Sequence, residues 1–69
     1  MTEITVTVNG KPLTIKEGSS IADAAKNMGV WEQSIVAELD GEILSKDEME
    51  NKLLKNGSNL ELIQFVGGG

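Results

Sequence analysis

An α+β fold is predicted, with a mixed sheet of four to five strands and one main helix across one face. Three observations predict it. Short segments of apolar–polar alternation flank Asn9-Gly10 near the start of the chain, and two more strand-like segments flank Asp40-Gly41 in the second half. Between these pairs lies one stretch, residues 20–28, whose apolar residues recur at helical spacing. The final apolar segment, residues 60–66, carries hydrophobes at both parities, as expected of a central strand.

Sixty-nine residues make one domain near the lower limit for a self-sufficient core. A chain of this size removes only about 60% of its unfolded surface from water. Neither Cys nor His is present. Disulfides and thiolate metal sites are therefore excluded, as are the commonest metal ligand and the commonest general base. No resident metal is expected. The net charge of −5 opposes nucleic-acid binding, which needs a basic patch. No apolar run approaches the roughly 20 residues of a membrane span, and Met1-Thr2-Glu3-Ile4 lacks the features of a signal peptide. A cytoplasmic protein without membrane partners is the expectation.

Each element has a local cause. In Ile4-Thr5-Val6-Thr7-Val8 the β-branched apolar residues fall on one face and the threonines on the other. Asn9-Gly10 tolerates the positive φ angles of a type I′ turn. Lys11-Pro12-Leu13-Thr14-Ile15-Lys16 returns with Leu13 and Ile15 inward. Pro12 has no N–H to give to a ladder, so this strand is expected at an edge or starting after the proline. Ser20 fits a helix N-cap, with Asp23 at the third helical position. Ile21, Ala24, Ala25 and Met28 form one stripe, so Met28 is expected as core filler, and Gly29 ends the helix. Residues 30–34 form a loop whose Trp31 is expected to pack over the core edge; an exposed anchor for a partner is the other reading of a lone Trp.

Ile35-Val36-Ala37-Glu38-Leu39 and Glu42-Ile43-Leu44 read as a second hairpin about Asp40-Gly41. Ser45-Lys46-Asp47-Glu48 has capping-box spacing before a short helical turn carrying Met49, beneath which Leu53 and Leu54 are expected to pack. The mixed charges of Lys46, Asp47, Glu48, Glu50 and Lys52 are expected on a solvated face. Lys55-Asn56-Gly57-Ser58-Asn59 turns into the last strand. That strand is expected beside the first, with the helix on one side and Ile63 and Phe65 presented on the other. An exposed Ile63–Phe65 pair is a candidate docking patch; packing against Met49, Leu53 or Leu54 is the structural alternative. Hairpin, helix, hairpin, helical turn and strand together describe a roll of the β-grasp type.

After Phe65-Val66 come Gly67, Gly68 and Gly69. Residues 1–66 are expected to form the domain and residues 67–69 a flexible tail, because glycine keeps the most backbone freedom and offers nothing to pack. Such a thread is either a frayed end or a probe for a narrow channel in another protein. No catalytic constellation competes with it. The carboxylates are spread along polar faces, and no helix follows the glycines to make them a phosphate loop.

The chain resembles the ThiS/MoaD family of ubiquitin-like sulfur carriers over essentially its whole length. Asn9-Gly10, Ser20-Ile21-Ala22-Asp23, residues 36–43 and the closing run from Asn56-Gly57 through Gly69 carry the resemblance. It is closer to the thiamin-type members than to the small subunit of molybdopterin synthase, which tends to have prolines before its Gly-Gly; here the only proline is Pro12. Ser58 departs from the acidic residue usual after the turn glycine, and Gly67 replaces a variable small residue.

The resemblance implies a role as co-substrate, not enzyme. An E1-like, ThiF-like adenylyltransferase would use ATP to adenylate the Gly69 carboxylate. A sulfur donor such as a persulfide-bearing enzyme would then convert it to a thiocarboxylate. A ThiG-like thiazole synthase would take the sulfur for thiamin biosynthesis. Gly67 and Gly68 would supply slender reach into the partner, and Ile63 and Phe65 would dock it. The chain itself would bind no cofactor. The alternatives are a carrier serving molybdopterin, cysteine or protein conjugation, and a β-grasp interaction module with an inert tail.

Overall fold

The computed structural model describes residues 2–65. Strand β1 (Glu3–Val8) and strand β2 (Lys11–Lys16) form the first hairpin, followed by helix α1 (Ile21–Asn27). Strands β3 (Ile35–Leu39) and β4 (Glu42–Leu44) form the second hairpin, helix α2 (Lys46–Met49) is one short turn, and β5 (Asn59–Gln64) closes the order. The five strands make one mixed sheet in the order β2-β1-β5-β3-β4. This is the β-grasp roll expected from the element order.

Both hairpins turn on a residue pair with positive φ. Asn9 and Gly10 lie at +50° and +83°, Asp40 and Gly41 at +49° and +94°. Asn and Asp tolerate this region because a short polar side chain bonds locally, and glycine has no Cβ to clash. Pro12 lies within β2 and opposite Thr7. The outer edge of the sheet is where its missing N–H does no harm.

The last strand is held by both turns. Thr7 and Val8 of β1 pair in parallel with Asn59 and Leu60. On the other side β3 pairs antiparallel with β5 from Leu39–Leu60 to Ile35–Gln64. Asn9 N–H donates to the Leu60 carbonyl at 2.9 Å. Its side-chain Oδ1 accepts from Leu62 N–H at 2.8 Å, which extends the ladder beyond the end of β1. Asp40 does the same at the strand's start: its N–H donates to the Asn59 carbonyl, and its Oδ1 accepts from Asn59 N–H, both at 2.9 Å. Asn56 Oδ1 accepts from Thr5 N–H at 2.9 Å, tying the turn before β5 to β1.

Helix α1 starts on a reciprocal cap. Asp23 N–H donates to Ser20 Oγ (3.1 Å), and Ser20 N–H donates to Asp23 Oδ2 (2.9 Å). It ends in a Schellman motif. Gly29, at φ +77°, donates to the Lys26 carbonyl, and Val30 N–H reaches back to that of Ala25. Ile21, Ala22, Ala24 and Ala25 are buried against Ile4, Val6, Val8, Ala37, Leu39 and Leu60. Small alanines let the helix lie close to the sheet.

Two expectations fail here. Met28, placed at the end of the apolar stripe, is exposed. It occupies the C-cap of α1, where the chain has begun to leave the helical path. Leu53 is also exposed while Leu54 is buried. Both lie in an extended segment bridged to the N-cap of α1, with Ile21 N–H on the Lys52 carbonyl and Leu54 N–H on that of Ser19. Adjacent side chains of extended backbone point opposite ways, so only one leucine reaches the core.

In α2, the Ser45 backbone N–H and hydroxyl both donate to Glu48 Oε1 at 2.9 Å. These bonds hold the Glu48 carboxyl below its ordinary pKa, the backbone N–H contributing most, with a smaller contribution from the Lys52 charge.

The double use of Asn9 gives a test by denaturant and thermal unfolding. Asn9→Gly keeps the turn angle accessible but removes the acceptor for Leu62 N–H, and is expected to cost about 1 kcal/mol. The corresponding fall in Tm is about 4–8 °C for a domain of this size. Asn9→Asp keeps the acceptor and should retain most of that stability.

Candidate functional site

Of the residues singled out from the sequence, Gly67, Gly68 and Gly69 lie outside the described residues, and so does Val66. Ile63 and Phe65 are described, and both are exposed, at 42% and 61%. Their position follows from register. Leu60 and Leu62 face the core with Leu39 and Ala37 opposite them, so Glu61 and Ile63 face outward, opposite Glu38 and Val36. Phe65 continues the same parity, with its N–H donating to the Ser34 carbonyl at 2.9 Å. Met49 and Leu54 belong to the core cluster with Leu60, on the other side of the sheet. The alternative in which Ile63 and Phe65 pack against them is thereby ruled out.

The face contains more than the predicted pair. On β4, Ile43 stands opposite Glu38 and is 64% exposed. Val36, half-buried, stands opposite Ile63. Ile43, Val36, Ile63 and Phe65 thus form an apolar group on the outer face of β4, β3 and β5. In its midst Glu38 and Glu61 are direct cross-strand neighbours. Sequence reading missed Ile43, Val36 and the two carboxylates. Alternation alone places residues on a face of one strand; which residue stands opposite which requires the inter-strand register.

Trp31 is half-buried and packs against the core cluster, in agreement with the core-edge expectation. Two ammonium groups lie over its ring. Lys46 Nζ is 4.7 Å from the centroid and Lys26 Nζ 5.6 Å. Lys46 Nζ also donates to the Gln33 carbonyl at 2.9 Å. Lys46 therefore departs from the solvated face expected for its charge run: its half-buried stem ties α2 to the loop containing Trp31. Ser58 is buried, and its Oγ accepts from Lys55 N–H at 3.0 Å, so it serves the turn before β5.

Among the described residues, no group of three or more acidic side chains is arranged to hold a metal ion. No helix among them is long and apolar enough to cross a membrane.

The separation of faces predicts opposite outcomes for two substitutions on the same terminal segment. Phe65→Ala should change unfolding free energy by no more than about 0.5 kcal/mol, as for an exposed side chain. Leu60→Ala, at a fully buried position, should cost about 2–5 kcal/mol. Chemical denaturation of both variants measures the difference.

Comparison with known proteins follows the same lines. The crystal structure of the thiamine biosynthesis protein ThiS from Geobacter metallireducens superposes with a TM-score of 0.78 at 30% identity, over 96% of this chain and 100% of that one. The solution structure of a thiamine biosynthesis protein from the same organism gives a TM-score of 0.73 at 30% identity, over 96% of this chain and 88% of that one. No curated protein sequence matches significantly. The family model described as ThiS family matches residues 6–69, a span that runs from the middle of β1 through β2, α1, the second hairpin and β5 to the three closing glycines. The chain belongs to the ThiS family.

Proposed function

We propose that this chain is a sulfur carrier whose Gly69 carboxylate is the acceptor, and that its sulfur goes to thiazole formation in thiamin biosynthesis. The observation that carries the reading is the family match running through residue 69, and hence through Gly67-Gly68-Gly69. Family membership supports a carrier role, and the chemistry of the chain is consistent with it. With neither Cys nor His in the sequence, a terminal carboxylate is the group best suited to take up and hand on sulfur.

A carboxylate is a poor electrophile, and activation by a partner supplies the leaving group. One Gly69 oxygen attacks the α-phosphorus of ATP on an E1-like, ThiF-like adenylyltransferase, and pyrophosphate departs. The outer sulfur of a persulfide-bearing donor then attacks the acyl carbon, the bond to the AMP oxygen breaks, and AMP leaves with the electron pair, giving an acyl persulfide. A thiol, as the reductant, attacks the donor's own sulfur and forms a disulfide with it; the S–S bond to the acyl sulfur breaks, and the thiocarboxylate leaves with that electron pair. A ThiG-like thiazole synthase is the recipient. ATP is thus the partner's substrate, and the chain is a co-substrate in each step. Exclusion of water by the partner's site protects the acyl-adenylate. Gly67 and Gly68 have no Cβ to obstruct a narrow entrance, and the exposed Ile63 and Phe65 supply apolar contact beside the segment that enters.

Intact-mass analysis after incubation with the adenylyltransferase, ATP and sulfide tests this. Replacement of one oxygen by sulfur, localised to Gly69 by fragmentation, is expected. An added alanine after Gly69 should abolish the change, because the acceptor carboxylate is then displaced. A chain that keeps its mass with active cognate partners contradicts the reading. So does an alanine-extended chain that still supports thiazole synthesis.

A further inference from the structure

We propose that the outer sheet face receives an arginine of the adenylating partner, seated between the Glu38 and Glu61 carboxylates and surrounded by apolar contacts to Val36, Ile43, Ile63 and Phe65. This rests on the carrier reading for the identity of the partner; the recognition chemistry comes from the sheet itself.

Glu38 and Glu61 are register partners on β3 and β5. Side chains directly opposite in an antiparallel pair have Cβ atoms about 5 Å apart, and like charges there are destabilising. Among the described residues the ion pair formed is Lys52–Glu42, at 3.8 Å, and no lysine lies within pairing distance of Glu38 or Glu61. Among the described residues no cation forms an ion pair with either charge. Their neighbours are apolar: Ile43 stands opposite Glu38 on the far side, and the Val36–Ile63 pair occupies the next outward row. A partner that covers these exposed hydrophobes also covers the carboxylates. Covering them without a cation leaves two unpaired charges in a dry interface, which is strongly unfavourable.

Arginine fits this position better than lysine. Its planar guanidinium presents several N–H donors in a fixed fork and can serve two carboxylates at once, whereas an ammonium is a compact point charge. The partner's identity follows from reach. Phe65 lies four residues before Gly69, and four residues span at most about 14 Å. A protein that holds the Gly69 carboxylate in its active site therefore has the outer face close to that site.

Pyrophosphate release by the adenylyltransferase, measured against carrier concentration, tests the proposal with the double variant E38Q/E61Q. The expected effect is confined to binding: KM for the carrier rises about tenfold, equivalent to about 1.4 kcal/mol, while kcat stays within about twofold. Raising the salt concentration should raise the wild-type KM and leave that of the variant nearly unchanged. The Tm of the double variant should match or exceed that of the wild type, since a repulsion has been removed. This combination distinguishes docking from a structural role, which would lower Tm. The single variant E61K should pair with Glu38, match the wild type in stability and bind the partner more weakly than the double variant. A wild-type KM retained by E38Q/E61Q at low salt overturns the proposal while leaving the carrier reading intact. A wild-type chain that the adenylyltransferase does not turn over at all overturns the carrier reading, and the assignment of this partner with it.

Discussion

Everything else in the molecule depends on how β5 is held. It is the last strand in sequence and the middle strand in space, with β1 parallel on one side and β3 antiparallel on the other. The parallel contact is short, only Thr7–Asn59 and Val8–Leu60. The two hairpin turns compensate. Asn9 and Asp40 each adopt a left-handed backbone conformation, and each also gives a backbone N–H and a side-chain oxygen to β5. A single residue thus satisfies two demands at each turn. With the strand fixed in this way, its register dictates which side chains enter the core and which face outward.

That division separates the core from an exposed apolar face. On the inner side Leu60 meets Val6, Met49 and the alanines of α1 in a single core cluster. On the outer side Glu61, Ile63 and Phe65 join Val36, Glu38 and Ile43. A domain this small has little core to spare, since burial scales unfavourably with size. Large apolar side chains left on the outer face make no contribution to that core. Under the proposed carrier reading, contact with a partner gives them a role, close in sequence to the closing glycines that the family match includes.

Much of this was legible in the sequence, for identifiable reasons. β3 and β4 were readable at their observed limits because Asp40-Gly41 marks the turn between β-branched and aliphatic runs. Ser20 and Asp23 announced the start of α1, and Gly29 its end. The outward placement of Ile63 and Phe65 followed from the two-sided hydrophobicity of the last strand. What failed did so where a periodic pattern meets a boundary. Met28 continues the helical stripe on paper but sits at the C-cap, and Leu53 shares its extended segment with Leu54. The Glu38–Glu61 pair and the placement of two lysines over Trp31 depend on register and tertiary packing between distant segments. No local spacing encodes them.

The six isoleucines allow one measurement to decide whether recognition resides on the outer face. Ile4, Ile15, Ile21 and Ile35 are buried, whereas Ile43 and Ile63 are exposed on the outer side of β4 and β5. In a chain labelled at isoleucine δ1 methyl groups, titration with unlabelled adenylyltransferase should shift or broaden Ile43 and Ile63 first. The four core methyls should follow only through slower overall tumbling of the complex. Early and selective perturbation of Ile21 on α1 or Ile15 on β2, with Ile43 and Ile63 unaffected, would place the partner elsewhere and contradict the division of labour between the two faces.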